Sequence, residues 1–226
     1  MAKSVALDDA GRLAISQAVH DAEAGTAGEI VTIIADRSDR YQDVALWWAA
    51  AAALLALTGL ALFPDFYLGL LARLTNSWDP VSLAEAFELA LAVAGLKFVG
   101  VRLMLQWMPL RLWLTPRVVK ANRVQGRAIR YFKVGAEQRT TGKTGILIYL
   151  STTERMAEIV ADSAIHGKVD ASVWGEAMAK LVSQAREGRI ADGMVAAVQD
   201  VGAVLAAHFP RADDDVNELP DRVIEL

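Results

Sequence analysis

The sequence predicts an α/β fold, a small α/β/α sandwich with a mixed sheet, interrupted by a two-helix transmembrane hairpin. Three observations carry this. Two β-branched, nearly uncharged runs, GEIVTIIA at Gly28–Ala35 and GILIYL at Gly145–Leu150, read as strands buried on both faces. Amphipathic segments flank both runs. Between them, Val44 to Phe63 spells VALWWAAAAALLALTGLALF, twenty residues without a charge; at about 1.5 Å per residue such a helix crosses a hydrocarbon layer of roughly 30 Å.

Each element follows from local chemistry. Asp8 and Asp9 precede a helical pattern of Leu13, Ile15, Ala18, Val19 and Ala22 that closes near Gly25. The first span starts at Val44, with Trp47 and Trp48 placed for a membrane interface. A second span is expected from about Leu83 to Trp107, with Glu85 and Glu88 at one interface, Arg102 snorkelling to the other, and Lys97 inside. Pro64 to Ser82 reads as the connecting turn. Thr115 and Pro116 open a helix to about Lys133, with Val118, Ala121, Val124, Ala128 and Phe132 inward. Met156 to Ala161 pairs with Gly145–Leu150 across the turn STTER. Asp170 caps a helix burying Val173, Trp174, Ala177, Met178, Leu181, Val182 and Ala185, and a last helix aligns Ile190, Met194, Val198, Val201 and Leu205 before Pro210.

The organisation expected is a cytoplasmic domain in two parts, residues 1–43 and 111–210, around a hairpin at 44–110 with spans near 44–63 and 83–107, then a mobile acidic tail at 211–226. Charge is segregated accordingly. Residues 1–43 hold four basic and eight acidic side chains, 111–143 nine basic and one acidic, and 144–226 seven and fourteen. Arg37 and Arg40 before the first span and Arg111 to Arg127 after the second, against Arg73 alone between them, place both termini in the cytoplasm of a multi-pass inner-membrane protein.

Composition excludes several functions. The chain has 226 residues, 54% of them hydrophobic, and no cysteine, so disulfides, thiolate metal sites and cysteine nucleophiles are out. Three scattered histidines, His20, His166 and His208, leave carboxylates as the metal ligands, which favours hard cations. A net charge of −4 argues against nucleic acid as a partner. Gly142-Lys143-Thr144 is not a phosphate loop, because Glu137 stands where the pattern needs glycine and the triplet precedes a strand.

Two positions hold chemistry-bearing residues. Asp36 and Asp39, in DRSD after the first strand, lie where α/β folds build their sites; with Glu154 in STTER, and Asp162 beyond the next strand, they form a candidate set for Mg²⁺ or Ca²⁺. Arg155 adds a guanidinium for a phosphate. Arg117, Lys120, Arg123, Arg127 and Arg130 recur at helical spacing, the last four within about 80° of one another, as a stripe for phosphate or anionic lipid headgroups. The competing readings are a solvated turn, a hairpin with a local ion pair, and a basic face neutralised by the domain itself.

With these residues assembled, the soluble parts resemble the TPM domain family, which includes thylakoid-lumen phosphatase-like and photosystem-repair proteins and many bacterial membrane proteins. The resemblance rests on TAGEIVTIIADRSDRY at Thr26–Tyr41, GKTGILIYLSTTERMAEIVAD at Gly142–Asp162, Val173-Trp174 and the run Gly188–Pro210. It implies an α/β/α sandwich and, in some members, metal-binding acid phosphatase activity. Where the family carries an aspartate before the second strand, this chain has RTTGKTG at Arg139–Gly145. Two functions remain open: a membrane-anchored binding or scaffold module meeting the bilayer, anionic headgroups and a membrane protein partner, or a metal-dependent phosphatase acting on a phosphomonoester.

Overall fold

The structure is a computed structural model that describes residues 7–75, 81–135, 144–170, 172–211 and 219–226. The elements in chain order are α1 (Asp9–Glu23), β1 (Glu29–Ala35), α2 (Gln42–Leu62), α3 (Pro64–Thr75), α4 (Leu83–Met104), α5 (Met108–Trp113), α6 (Arg117–Gly135), β2 (Gly145–Ser151), β3 (Met156–Ala161), α7 (Ser163–His166), α8 (Val173–Arg186), α9 (Ile190–His208) and β4 (Ile224–Glu225). They form two compact units, residues 1–39 with 117–226, and residues 40–116.

The first unit is an α/β fold. Its sheet runs β3-β2-β1-β4, with β1 parallel to both β2 and β4 and β3 antiparallel to β2, so it is mixed. Every residue of β1 and β2 is buried, as their predominantly apolar, β-branched runs require when helices cover both faces. The strand period of two divides their side chains. Ile30, Ile34, Ile146, Ile148 and Leu150 meet α1, α8 and α9 on one face, while Val31, Ile33, Leu147 and Tyr149 meet Val124, Ala128 and Phe132 of α6 on the other. Asp8 caps α1, its side chain accepting the Gly11 N–H at 2.8 Å. At Gly202 a Cβ would lie 2.6 Å from that of Ala22, so α1 and α9 approach through a missing side chain.

Several expectations are corrected. Leu13, Val118 and Val173, expected inward, are 71%, 70% and 45% exposed: Leu13 lies on the face of α1 opposite the stripe of Ile15, Ala18 and Val19, and Val118 lies at the rim of α6, beyond the stripe of Val124, Ala128 and Phe132. Residues 219–226, expected to be mobile tail, are ordered. Leu219 is buried, and β4 extends the sheet beside β1, with Leu226 N–H donating to Ile34 O at 3.0 Å and Asp36 N–H to Leu226 O at 2.9 Å. Residues 212–218 and 136–143, the latter including Gly142-Lys143 and most of RTTGKTG, lie outside the described residues.

The second unit is an antiparallel pair of long helices, α2 and α4, joined through α3, which replaces the connecting turn expected over Pro64–Ser82; its apolar content and Pro64 at the first position suit a helix. A capping box starts α4: the Ser82 hydroxyl receives the Glu85 N–H while the Glu85 carboxylate receives the Ser82 N–H at 2.7 Å. At the opposite end of the pair, buried Arg111 of α5 donates Nε–H to Leu105 O at 2.7 Å and Nη1–H to Arg40 O at 2.6 Å, tying the close of α4 to the start of α2. Arg111, counted from sequence as a charge marking the cytoplasmic side, is thus the clamp of the hairpin.

Among the described residues two helices are, by length and composition, apolar enough to cross a membrane, Gln42–Leu62 and Ile190–His208. The latter is a core helix of the first unit, with eight buried residues. Helix α4 fails that test because Glu85, Glu88, Lys97 and Arg102 interrupt it.

Candidate functional site at the carboxyl edge of the sheet

The carboxyl ends of β1 and β2 lie side by side, since the parallel register pairs Ala35 with Ser151. The two following loops, DRSD and STTER, therefore meet. Thr152 N–H donates to Ala35 O at 3.0 Å and Thr153 N–H to Asp36 O at 2.9 Å, which continues the ladder past the strands. The Thr153 hydroxyl reaches Asp36 Oδ1 at 3.2 Å.

At the centre is Glu154, only 8% exposed. One of its carboxylate oxygens accepts the Ser38 N–H at 2.9 Å, and the other accepts the Ser151 hydroxyl in a short bond. The Ser38 hydroxyl in turn shares a 3.0 Å hydrogen bond with the phenol of Tyr149. Burial, with a smaller push from the Glu154 charge, holds that phenol above its ordinary pKa despite the opposing hydrogen bond to Ser38. Tyr149 is fully buried, its ring centroid 6.0 Å from that of Tyr131, and the Arg127 guanidinium lies 5.4 Å from the Tyr131 centroid. Arg123 Nη1 binds Asp39 Oδ2 at 2.7 Å.

The predicted residues are thus partly assembled. Asp36, Asp39 and Glu154 share the carboxyl edge, joined by Arg123 and Arg127 from the basic stripe. Asp162 does not join them. Strand β3 runs back along β2, so the Asp162 N–H donates to Gly145 O at the opposite end of the sheet, about 20 Å away at 3.3 Å per residue. There Asp162 caps α7, its Oδ1 accepting the Ser163 N–H at 2.7 Å while Oδ2 is buried without a hydrogen bond among the described residues. Arg155 is exposed beside the turn, with φ at +55°. Arg117 and Arg130 are exposed on α6. Sequence reasoning missed Ser38, Tyr149 and Ser151. The signal was one polar side chain inside or beside each buried run, which must find a partner once the sheet closes.

A hard cation needs several carboxylate oxygens aimed at one point. Here Glu154 spends both oxygens on Ser38 and Ser151, Asp39 is paired with Arg123, and Asp36 accepts from Thr153. Among the described residues no group of three or more His, Asp or Glu side chains could hold a metal ion. The donor set does not fit a divalent cation; it fits a brace that locks DRSD onto STTER.

Comparison with known proteins agrees with this architecture. A family model described as TPM domain matches residues 114–204, from just before α6 to within α9. The solved NMR structure of the BA42 protein from the psychrophilic bacterium Bizionia argentinensis superimposes with a TM-score of 0.57 at 18% identity, covering 100% of each chain, a likeness of fold. No curated protein matches the chain.

Proposed function

We propose, from the match of residues 114–204 to the TPM domain model, that the chain is a membrane-anchored binding or scaffold module, its domain held on the cytoplasmic side of an inner membrane. One observation carries the anchoring: the helix pair turns its apolar side chains outward. Leu54, Leu55, Leu91 and Leu96 are 64–76% exposed, and Ala45 and Ala49 are the only residues buried along α2. A water-soluble pair would bury this surface; in lipid its exposure is favourable. Lys97 is then carried on a flexible stem toward the headgroups, or meets an acidic group of a partner helix. Exposed Arg117 and Arg130 suit anionic headgroups, at about 1 kcal/mol each.

The binding role is favoured over phosphomonoester hydrolysis because the carboxylates at the sheet edge are consumed in holding loops. Two measurements test the reading. Full-length protein reconstituted into phosphatidylglycerol-containing liposomes should float with them after alkaline wash, and in bacterial cells a reporter fused before residue 40 should read the cytoplasmic side; release into the wash refutes anchoring. The same preparation should not hydrolyse p-nitrophenyl phosphate with Mg²⁺, Ca²⁺ or Mn²⁺. Hydrolysis abolished by Asp36→Ala would establish the phosphatase instead.

A further inference from the structure

The two edges of the sheet are treated differently. Beside β1 the edge is blunted by β4, a two-residue strand. The other edge is β3, six residues without proline, lysine or glycine and with a single charge, Glu158, which lines the groove and is bonded to Gln125 of α6 at 3.3 Å; they pair, among the described residues, with β2 alone. Open edges of this kind template added strands, and proteins that gain nothing from them usually block them.

The phase of the ladder fixes which groups are open. Because Asp162 N–H bonds to Gly145 O, the residues exchanging hydrogen bonds with β2 are Met156, Glu158 and Val160. The N–H and C=O groups of Ala157, Ile159 and Ala161 therefore point away from the sheet. They open into a groove between α6 and α8, about 430 Å³ along the Ala161 half and 320 Å³ along the Met156 half. Ile129 of α6 lines one wall of the first half, and Trp174 and Met178 of α8 line the other, giving apolar positions on both sides of an incoming strand.

The Met156 end is basic. Arg117, Arg155 and Arg186 converge on it from α6, the turn and α8, all exposed, and none of the three has an ion-pair partner among the described residues. Arg155 also occupies a left-handed backbone position, φ +55°, which is disfavoured for a residue with a side chain relative to glycine. An arginine placed there against its own backbone preference points to a use for its charge.

We propose that the open edge of β3, in the groove between α6 and α8, receives an extended peptide of a partner protein as an added strand, with an acidic residue at the end that meets Arg117, Arg155 and Arg186. This names the partner class for the binding reading above and rests on it. Main-chain bonds to Ala157, Ile159 and Ala161 supply affinity; alternate apolar side chains and the terminal acid supply register and direction.

The test is fluorescence anisotropy with full-length protein in detergent micelles and three fluorescein-labelled peptides: Val-Thr-Ile-Thr-Val-Asp, Asp-Val-Thr-Ile-Thr-Val, and the first with lysine replacing aspartate. One acid-ended peptide should bind at least tenfold more tightly than the lysine-ended one, and N-methylation of alternate amides should weaken it tenfold or more in one phase and little in the other. Arg155→Glu with Arg186→Glu should reverse the charge preference, and Ala157→Pro, which removes an outward N–H but no bond to β2, should weaken all binding. The methylated peptides keep the test decisive if that variant does not fold. Equal affinity for acid- and lysine-ended peptides, or indifference to methylation in both phases, overturns the proposal. So does self-association that Ala157→Pro abolishes, which would make a second copy of the chain the occupant. An inert groove in protein that still floats with liposomes refutes the peptide alone; loss of flotation refutes the anchoring.

Discussion

Replacing Glu154 separates a brace from a ligand. In Glu154→Ala the Ser38 N–H and the Ser151 hydroxyl lose their acceptor inside a site where Glu154 is 8% exposed and Ser151 wholly buried. A buried donor left unpaired costs about 1–3 kcal/mol, so the pair should cost ~4 kcal/mol. Glu154→Gln keeps an oxygen for the Ser38 N–H and turns an amide N–H toward the Ser151 oxygen, whose proton rotates away. The charge assistance is lost and the Ser151 proton gives up its acceptor, but Ser38 N–H and Ser151 Oγ each keep a partner, so the cost should be about 2 kcal/mol, half that of alanine. Pulse proteolysis across a urea series, on the full chain in detergent micelles, reads both costs, and hydrogen exchange at the Ser38 amide should accelerate markedly in the alanine variant and little in glutamine. Equal costs for the two variants would refute the brace. So would a divalent cation that raises the wild-type midpoint and leaves the glutamine variant unmoved, because glutamine would then have removed a ligand.

Three further outcomes follow from single contacts. Burial, with Glu29 and Asp221 nearby, pushes the Glu23 carboxyl to about 8 even though it accepts the Ile30 N–H at 2.7 Å. The folded state therefore holds this proton more tightly than the unfolded one, and its contribution to stability, full below about pH 4.5, is lost as pH rises toward 8. The slope is about 1.4 kcal/mol per pH unit; urea midpoints between pH 5 and 8 should fall, and Glu23→Gln should flatten that fall. Gly202→Ala sets its methyl 2.6 Å from Ala22 Cβ and should cost about 1–3 kcal/mol, read as a lower urea midpoint; no change would show that α1 and α9 can part freely. Arg111→Ala leaves the Leu105 and Arg40 carbonyls without this donor and should lower the temperature at which the detergent-solubilised helix pair becomes protease-sensitive, whereas an unchanged temperature would return Arg111 to a topological charge.

What could be read in the sequence was local periodicity. The runs ending at Ala35 and Leu150 are strands because only burial on both faces tolerates so many consecutive β-branched and aliphatic residues, and the inward face of α9 was legible from Ile190, Met194, Val198, Val201 and Leu205. Strand β4 was not legible: two residues carry no period, and pairing with β1 depends on a partner nearly two hundred positions away. The candidate site was half legible. Asp36 and Glu154 were placed correctly at adjoining strand ends, but Asp162 required following the reversal of β3 through its hairpin, and the roles of Ser38 and Ser151 depend on which oxygen of Glu154 each one meets. Arg111 was misleading because a buried arginine bound to backbone carbonyls and a surface arginine near a membrane look alike in sequence.

The central strands β1 and β2 pair along their full length although the whole helix hairpin lies between them in the chain. During synthesis, β1 leaves the ribosome as seven residues that the finished fold buries completely, and roughly a hundred more must be made before β2 exists. At ~5–20 residues per second this wait lasts on the order of ten seconds. In the proposed membrane setting the hairpin inserts during that interval, so the bilayer holds the two strand-bearing ends of the chain near one another before either has a partner. Loop closure, which would otherwise charge entropy for a connection of this length, is then completed by insertion ahead of folding. The membrane segment would serve the domain first as an assembly jig and only afterwards as its anchor.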